Sequence, residues 1–246
     1  MNIQINYMFT LVLGAFLNSA MATEGVDFKL SNSVYSMSTS GYSGDINLRA
    51  QKGNDSGQHT AWIGFYHSSQ GVNQTRVGYE YLLSRQFFRT TFSSQLASGG
   101  FVGGSITSEV GPKNVYGLLG FGRTNLQPYV NLNFDPNDMI QYGVGWRPET
   151  LKGHHVFNLY RIQDNRLNTG QAITHLVWRD AYSEGHRFSI DAFHKRGEID
   201  TGATIRNKFG LGVGYDNGPW GVRLAYDPFV NFSSERMIRL SATFRF

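Results

Sequence analysis

The chain has 246 residues, with 22 Lys and Arg against 18 Asp and Glu, a formal net charge of +4 and no Cys. A cysteine-free exported chain cannot be a small disulfide scaffold and must be held by a large core or by sheet closure. Mean hydropathy is −0.32, and no segment after the N-terminus approaches the roughly 20 apolar residues of a membrane helix, which excludes a helical membrane protein. The charge excess is too mild to suggest nucleic acid as a partner.

Phe9 to Leu17 is a short apolar run, followed by the A-x-A site Ala20-Met21-Ala22. No Lys or Arg precedes the run. Residues 1–22 are expected to be a cleaved signal peptide, with 23–246 as the mature domain. Aromatic residues make up 14% and Gly 29 positions against 6 Pro. That balance fits β-structure with tight turns.

The mature chain repeats segments of about ten residues that alternate apolar and polar, each followed by a polar or Gly-rich turn. Alternation sends successive side chains to opposite faces of a sheet. Asp27 to Met37 is either a strand or an N-terminal segment in the lumen or periplasm. Strand candidates follow at about 45–51 and 58–68. Gln74 to Leu83 places Val77, Tyr79 and Tyr81 outward and Arg76 and Glu80 inward. Further candidates lie at about 86–96, 101–110 and 113–122. Gln127 to Asn133 places Val130 and Leu132 outward and Tyr129 inward. Met139 to Arg147 turns Ile140, Tyr142, Val144 and Trp146 outward. Segments near 154–163 and 170–179 are strand-like without a clear phase. Arg187 to Lys195, Asn207 to Tyr215 and Gly221 to Tyr226 continue the pattern. In the last segment, Arg236 to Phe246, Ile238, Leu240, Ala242, Phe244 and Phe246 form one face, and Arg239, Ser241, Thr243 and Arg245 the other. The reading is an all-β fold, a transmembrane antiparallel barrel of about 14 strands, with 12 or 16 as alternatives. A soluble lipocalin-like barrel or sandwich also alternates, but would not carry this one-sided aromatic and apolar pattern to the terminus.

The signal segment, the alternation and the terminal Phe246 together resemble Gram-negative outer-membrane β-barrel proteins. The resemblance implies an outer-membrane location and recognition of the last strand by the barrel assembly machinery. It names a superclass and no subfamily. With both termini in the periplasm, the connection around Asp227 to Glu235 is extracellular, Asp216-Asn217-Gly218-Pro219 is a periplasmic turn, and Arg196 to Ile205 is extracellular. The same count makes Ser84-Arg85 and Gly111-Pro112-Lys113 short extracellular turns, so one side of the rim should be low.

On these phases Arg76, Arg89, Arg147, Lys195, Lys208, Arg223, Arg239 and Arg245 face inward, against Glu80, Glu109 and Asp191. A low-dielectric wall focuses such charge and attracts anions, and Arg binds carboxylate or phosphate in a bidentate manner. In this the chain resembles small oligosaccharide porins with basic pores. Alternatively, the charges form cross-strand networks that fill the lumen. The main expectation is a passive, non-enzymatic channel for small anionic or polar solutes, pore-lined by the first seven of these bases. Outer-membrane lipids and solutes are its expected partners. No cofactor or metal is implied.

A second class is a lipid hydrolase. His67 and Ser69 lie two apart on a strand and so share a face, and the stretch resembles the His-x-Ser of outer-membrane phospholipase A and lipid A deacylases. A base and nucleophile need a third group to orient the imidazole, and the nearest acid, Glu80, has lumenal phase. The turn count also puts this strand end on the periplasmic side. A structural barrel with a filled lumen is the third alternative. Asp135-Pro136-Asn137-Asp138 and Asp227-Pro228 read as turn formers. His154-His155 lacks a metal-spaced partner. Trp146, Trp178 and Trp220 read as interface girdle residues.

Overall fold

A computed structural model describes residues 25–127, 129–130, 138–148, 154–183 and 185–246. The expected signal segment therefore lies outside the described residues. Fourteen strands form one closed antiparallel barrel. They are β1 (Val26–Met37), β2 (Gly41–Asn54), β3 (Gly57–Ser68), β4 (Asn73–Ser84), β5 (Phe88–Ala97), β6 (Phe101–Val110) and β7 (Val115–Thr124), then β8 (Met139–Trp146), β9 (Val156–Asp164), β10 (Ala172–Ser183), β11 (His186–Glu198), β12 (Thr204–Asn217), β13 (Trp220–Asp227) and β14 (Met237–Arg245). Each pairs with its sequence neighbours, and β1 closes the sheet on β14 with Lys29 opposite Arg245 and Val34 opposite Leu240. Phe246 completes the seam. Its backbone N–H donates to the Phe28 carbonyl and its own carbonyl accepts from the Phe28 N–H, while its ring stacks on Phe28 and Phe244.

The strand periodicity has inverted the usual burial rule. Large apolar side chains such as Ile63, Phe65, Leu119, Val144, Leu224 and Leu240 are exposed. Their strand neighbours Tyr66, Gln74, Arg76 and Thr243 are buried. A continuous apolar outer belt is what hydrocarbon requires, and closure leaves no unpaired edge inside it. Trp146 and Trp220 lie exposed on this outer surface, near the end that carries the termini.

Two elements differ from the sequence reading. Val26–Met37 is a full strand and supplies one side of the closing seam. In Gln127 to Asn133, residues 127, 129 and 130 are not in a strand, and the remainder lies outside the described residues. The total of fourteen stands because one omission offset one excess. The exchange reverses the count of ends over the first half of the chain. The turns at 85–87 and 111–114 lie on the termini side, and those at 38–40, 69–72 and 98–100 lie on the far side. The far rim is low over β1 to β6 through these three short turns. The far-side connection 228–236 is longer.

On the far side, residues 129–130 and the connection 228–236 turn into the barrel. The Tyr129 ring stacks on inward Phe101 at 4.1 Å between centroids. Its hydroxyl reaches Gln95 at 3.3 Å, and Val130 N–H donates to Gln74. The second connection places Val230 and Phe232 in an apolar cluster with Tyr35, Ile173, Phe193, Ile205 and Met237. Gly210 faces this cluster because a Cβ there would overlap the Phe193 ring.

Candidate functional site in the lumen

The inward register brings basic residues from distant strands onto one wall. Lys29 on β1 lies opposite Arg49 on β2 and Arg245 on β14. Arg223 on β13 lies opposite Gly214 on β12 and Ser241 on β14. Its side chain lies over Gly214, where a Cβ would come within 3.1 Å of it. The glycine thus makes room for the guanidinium stem. Arg179 of β10 and Arg239 of β14 extend the same arc.

A cavity of about 530 Å³ is lined by Lys29, Arg49, Arg76, Arg223 and Arg239, with Asp45 and Glu80 as its acids. Its other walls are neutral and include Ser93, Gln95, Ser105 and Thr124. A second cavity of about 430 Å³ is lined by Arg179, Arg187, Arg223, Arg239 and Arg245, with Asp180, Asp191 and Asp216. Arg223 and Arg239 border both. Basic side chains outnumber acidic ones in each lining.

Much of this charge is tied into cross-strand pairs. Arg76, 5% exposed, pairs with Asp45. Arg49 holds Glu80 with both terminal nitrogens, the shorter contact being 2.9 Å. Arg147 reaches Glu109 at 2.7 Å and stacks 4.0 Å from the Tyr116 ring centroid, while Arg89 approaches the same carboxylate at 3.7 Å. Arg245 contacts Asp216 at 3.1 Å. Asp45 and Asp216 were not among the inward acids expected from sequence.

The seven expected pore-lining residues occupy four environments. Arg76, Arg223 and Arg239 border the larger cavity. Arg89 and Arg147 meet at Glu109, near the termini end. Lys195 points inward but is fully buried. Its ammonium donates to Asp227 at 2.6 Å and to the Phe229 carbonyl at 2.7 Å. Lys208 is exposed at the far rim, with its ammonium 5.5 Å from the Phe229 ring centroid. Sequence reasoning left out Lys29, Arg49, Arg179 and Arg187. Lys29 alternates with Phe28 and Leu30, which was a usable signal, but polar Asn32 and Ser36 on the outer face blurred it.

His67 and Ser69 lie at the end opposite the termini, not at the termini end expected from the turn count. The His67 ring bonds to Asn73 through Nδ1 at 2.7 Å. The Ser69 hydroxyl donates to the Ser40 carbonyl and accepts from Tyr42 N–H. Each therefore serves its own turn, and Glu80 is committed to Arg49. Asp227 forms the expected turn by accepting from Phe229 N–H. Asp138 accepts from Thr124 and pairs with Arg166. His155 pairs with Asp180 at 3.3 Å and stacks on Trp178.

No family model matches the sequence, and no curated protein matches it. Among solved structures, the outer-membrane protein Omp33 of Acinetobacter baumannii aligns over 89% of this chain and 98% of its own, with a TM-score of 0.54 and 9% identity. A variant of the Rh. blastica porin aligns over 90% and 99% with a TM-score of 0.48 and 8% identity. The KdgM porin, solved with disordered oligogalacturonate, aligns over 88% and 98% with a TM-score of 0.45 and 6% identity. At 9% identity the Omp33 likeness concerns the fold. The chain has the closed antiparallel barrel fold of an outer-membrane protein.

Proposed function

We propose that the protein is a passive outer-membrane channel favouring small anionic solutes. The observation that carries this reading is the cavity pair sharing Arg223 and Arg239, in which basic side chains outnumber acidic ones. Charges facing a narrow space inside a low-dielectric wall raise the local concentration of counter-ions. The two inward connections limit the space to volumes suited to small solutes. On this reading residues 1–22 are removed on export. The assembly machinery then reads the alternating β14 and its terminal Phe246, and Arg89 and Arg147 flank the termini-side mouth.

The test is to refold residues 23–246 into a planar bilayer and record conductance and reversal potential in a salt gradient. Steady openings with an anion-selective reversal potential are expected. Arg223→Ser with Arg239→Ser should move the anion-to-cation permeability ratio toward one. Unchanged selectivity would remove both residues from the conduction path, and a folded barrel without openings would mean a filled lumen.

A further inference from the structure

Besides the lumen, the barrel carries a notch in its outer wall at the far rim. The β12–β13 ladder ends at Leu211 opposite Tyr226, so β12 extends beyond its partner through Gly210, Phe209 and Lys208. The cause lies at the end of β13. Asp227 is drawn inward by buried Lys195, and the chain then enters the lumen at Val230 and Phe232. The wall position that β13 would fill is left open between β12 and the start of β14.

A groove of about 510 Å³ occupies this notch, lined by Asn207, Lys208, Phe209, Tyr226, Phe229 and Arg236, among others. Two of its features point to one class of occupant. Phe209 and Tyr226 are exposed and continue the outer apolar belt upward into the groove. Lys208 on β12, opposite inward Lys195 and reaching the Phe229 ring, and Arg236 stand at its far edge, both exposed, and neither forms an ion pair among the described residues. Asp227 and Glu235, the nearest acids in the connection, are turned to Lys195 and to Thr39. The groove is therefore apolar toward Phe209 and Tyr226 and cationic at Lys208 and Arg236.

We infer that this groove binds a phosphorylated lipid of the surrounding leaflet. The phosphate would sit between Lys208 and Arg236, with an acyl chain along Phe209 and Tyr226. Arg donates in a fork that matches phosphate oxygens and Lys adds a point charge, while aromatic rings at the membrane interface suit the glycerol and upper-chain region. The inference needs the barrel to sit in a bilayer but does not depend on whether it conducts.

The absence of native cysteine allows a single label to report on the groove. Ser234 lines it, so Ser234→Cys carries a fluorophore. The folded barrel is placed in vesicles mixing a zwitterionic phosphatidylcholine with brominated phosphatidic acid, or the reverse bromination, and quenching gives the relative association of the two lipids. Two surface cations near anionic lipid should favour phosphatidic acid by roughly thirtyfold. A label at Val102→Cys, on the belt far from the notch, should show no preference.

Lys208→Gln with Arg236→Gln should bring the preference at position 234 to that of the Val102 site, and Lys208→Arg with Arg236→Lys should retain it. Millimolar inorganic phosphate should not relieve the quenching, because it lacks the chain. Equal quenching by both lipids, a preference that survives the Gln pair, or displacement by phosphate would each overturn the assignment.

Discussion

Lys195 and Asp227 are each fully buried and contact one another at 2.6 Å. Removing one member of such a pair leaves a charge without its counter-charge in a dry site. Asp227→Asn should therefore destabilise the barrel by about 3–5 kcal/mol. Lys195→Met combined with Asp227→Leu should recover most of that loss, since an apolar pair of similar volume carries no desolvation cost. Urea unfolding of the barrel in detergent micelles measures both, and a single-variant loss within error of zero would show the pair to be hydrated. From sequence Lys195 was one more inward base. Its burial could not be read there, because it depends on a connection more than thirty residues away folding over it.

At the scale of elements, the two inward connections narrow the far mouth. Tyr129→Ala removes the stacking on Phe101 and the bond to Gln95. The segment should then leave the wall, and single-channel conductance should rise. An unchanged conductance would show that Tyr129 does not limit flow. The connection before β14 is also tied across the seam, with Thr39 donating to Glu235 at 2.6 Å. Burial alone would raise the Glu235 carboxyl, but hydrogen bonds from Thr39 and Ser40 outweigh it and hold it below the ordinary glutamate range. A carboxyl lowered in the folded state contributes stability at neutral pH and loses it as pH falls through the lowered value. Amide exchange in 38–40 and 233–235, corrected for intrinsic rates, should thus increase only below the usual glutamate range. Glu235→Gln should show the faster exchange already at pH 7.

These elements also show why part of the fold was hard to read from sequence. Val130 and Leu132 alternate with polar neighbours as a strand would. Period-2 alternation cannot separate a wall strand from a segment whose side chains contact the inner wall, as Tyr129 does. Val26–Met37 had the opposite difficulty, since Asn32 and Ser36 stand on its outer face. Within phased strands such as β4 and β13 the alternation placed Arg76, Arg223 and their neighbours on the correct side. The pleat permits only two faces, and lipid demands apolar side chains on one.

For the whole molecule, the proposed selectivity comes from many lumen charges acting together, so it should depend on ionic strength. The screening length is about 10 Å at 0.1 M salt and about 3 Å at 1 M. The anion preference should accordingly be strong in dilute salt and fall toward none at 1 M when reversal potentials are compared at fixed gradient ratio. A preference independent of salt would indicate direct ligation at one site in place of a distributed field.

The sequence by itself determined the class of fold and the outward face of most phased strands, because alternation and the lipid requirement are local and repeat in every strand. Which strands pair to close the barrel, which connections enter the lumen and which bases remain open to its cavities were decided by tertiary structure. Those outcomes depend on register between residues such as Lys29 and Arg245, and on Phe229 and Tyr129 reaching walls distant in the chain. No local pattern encodes such contacts.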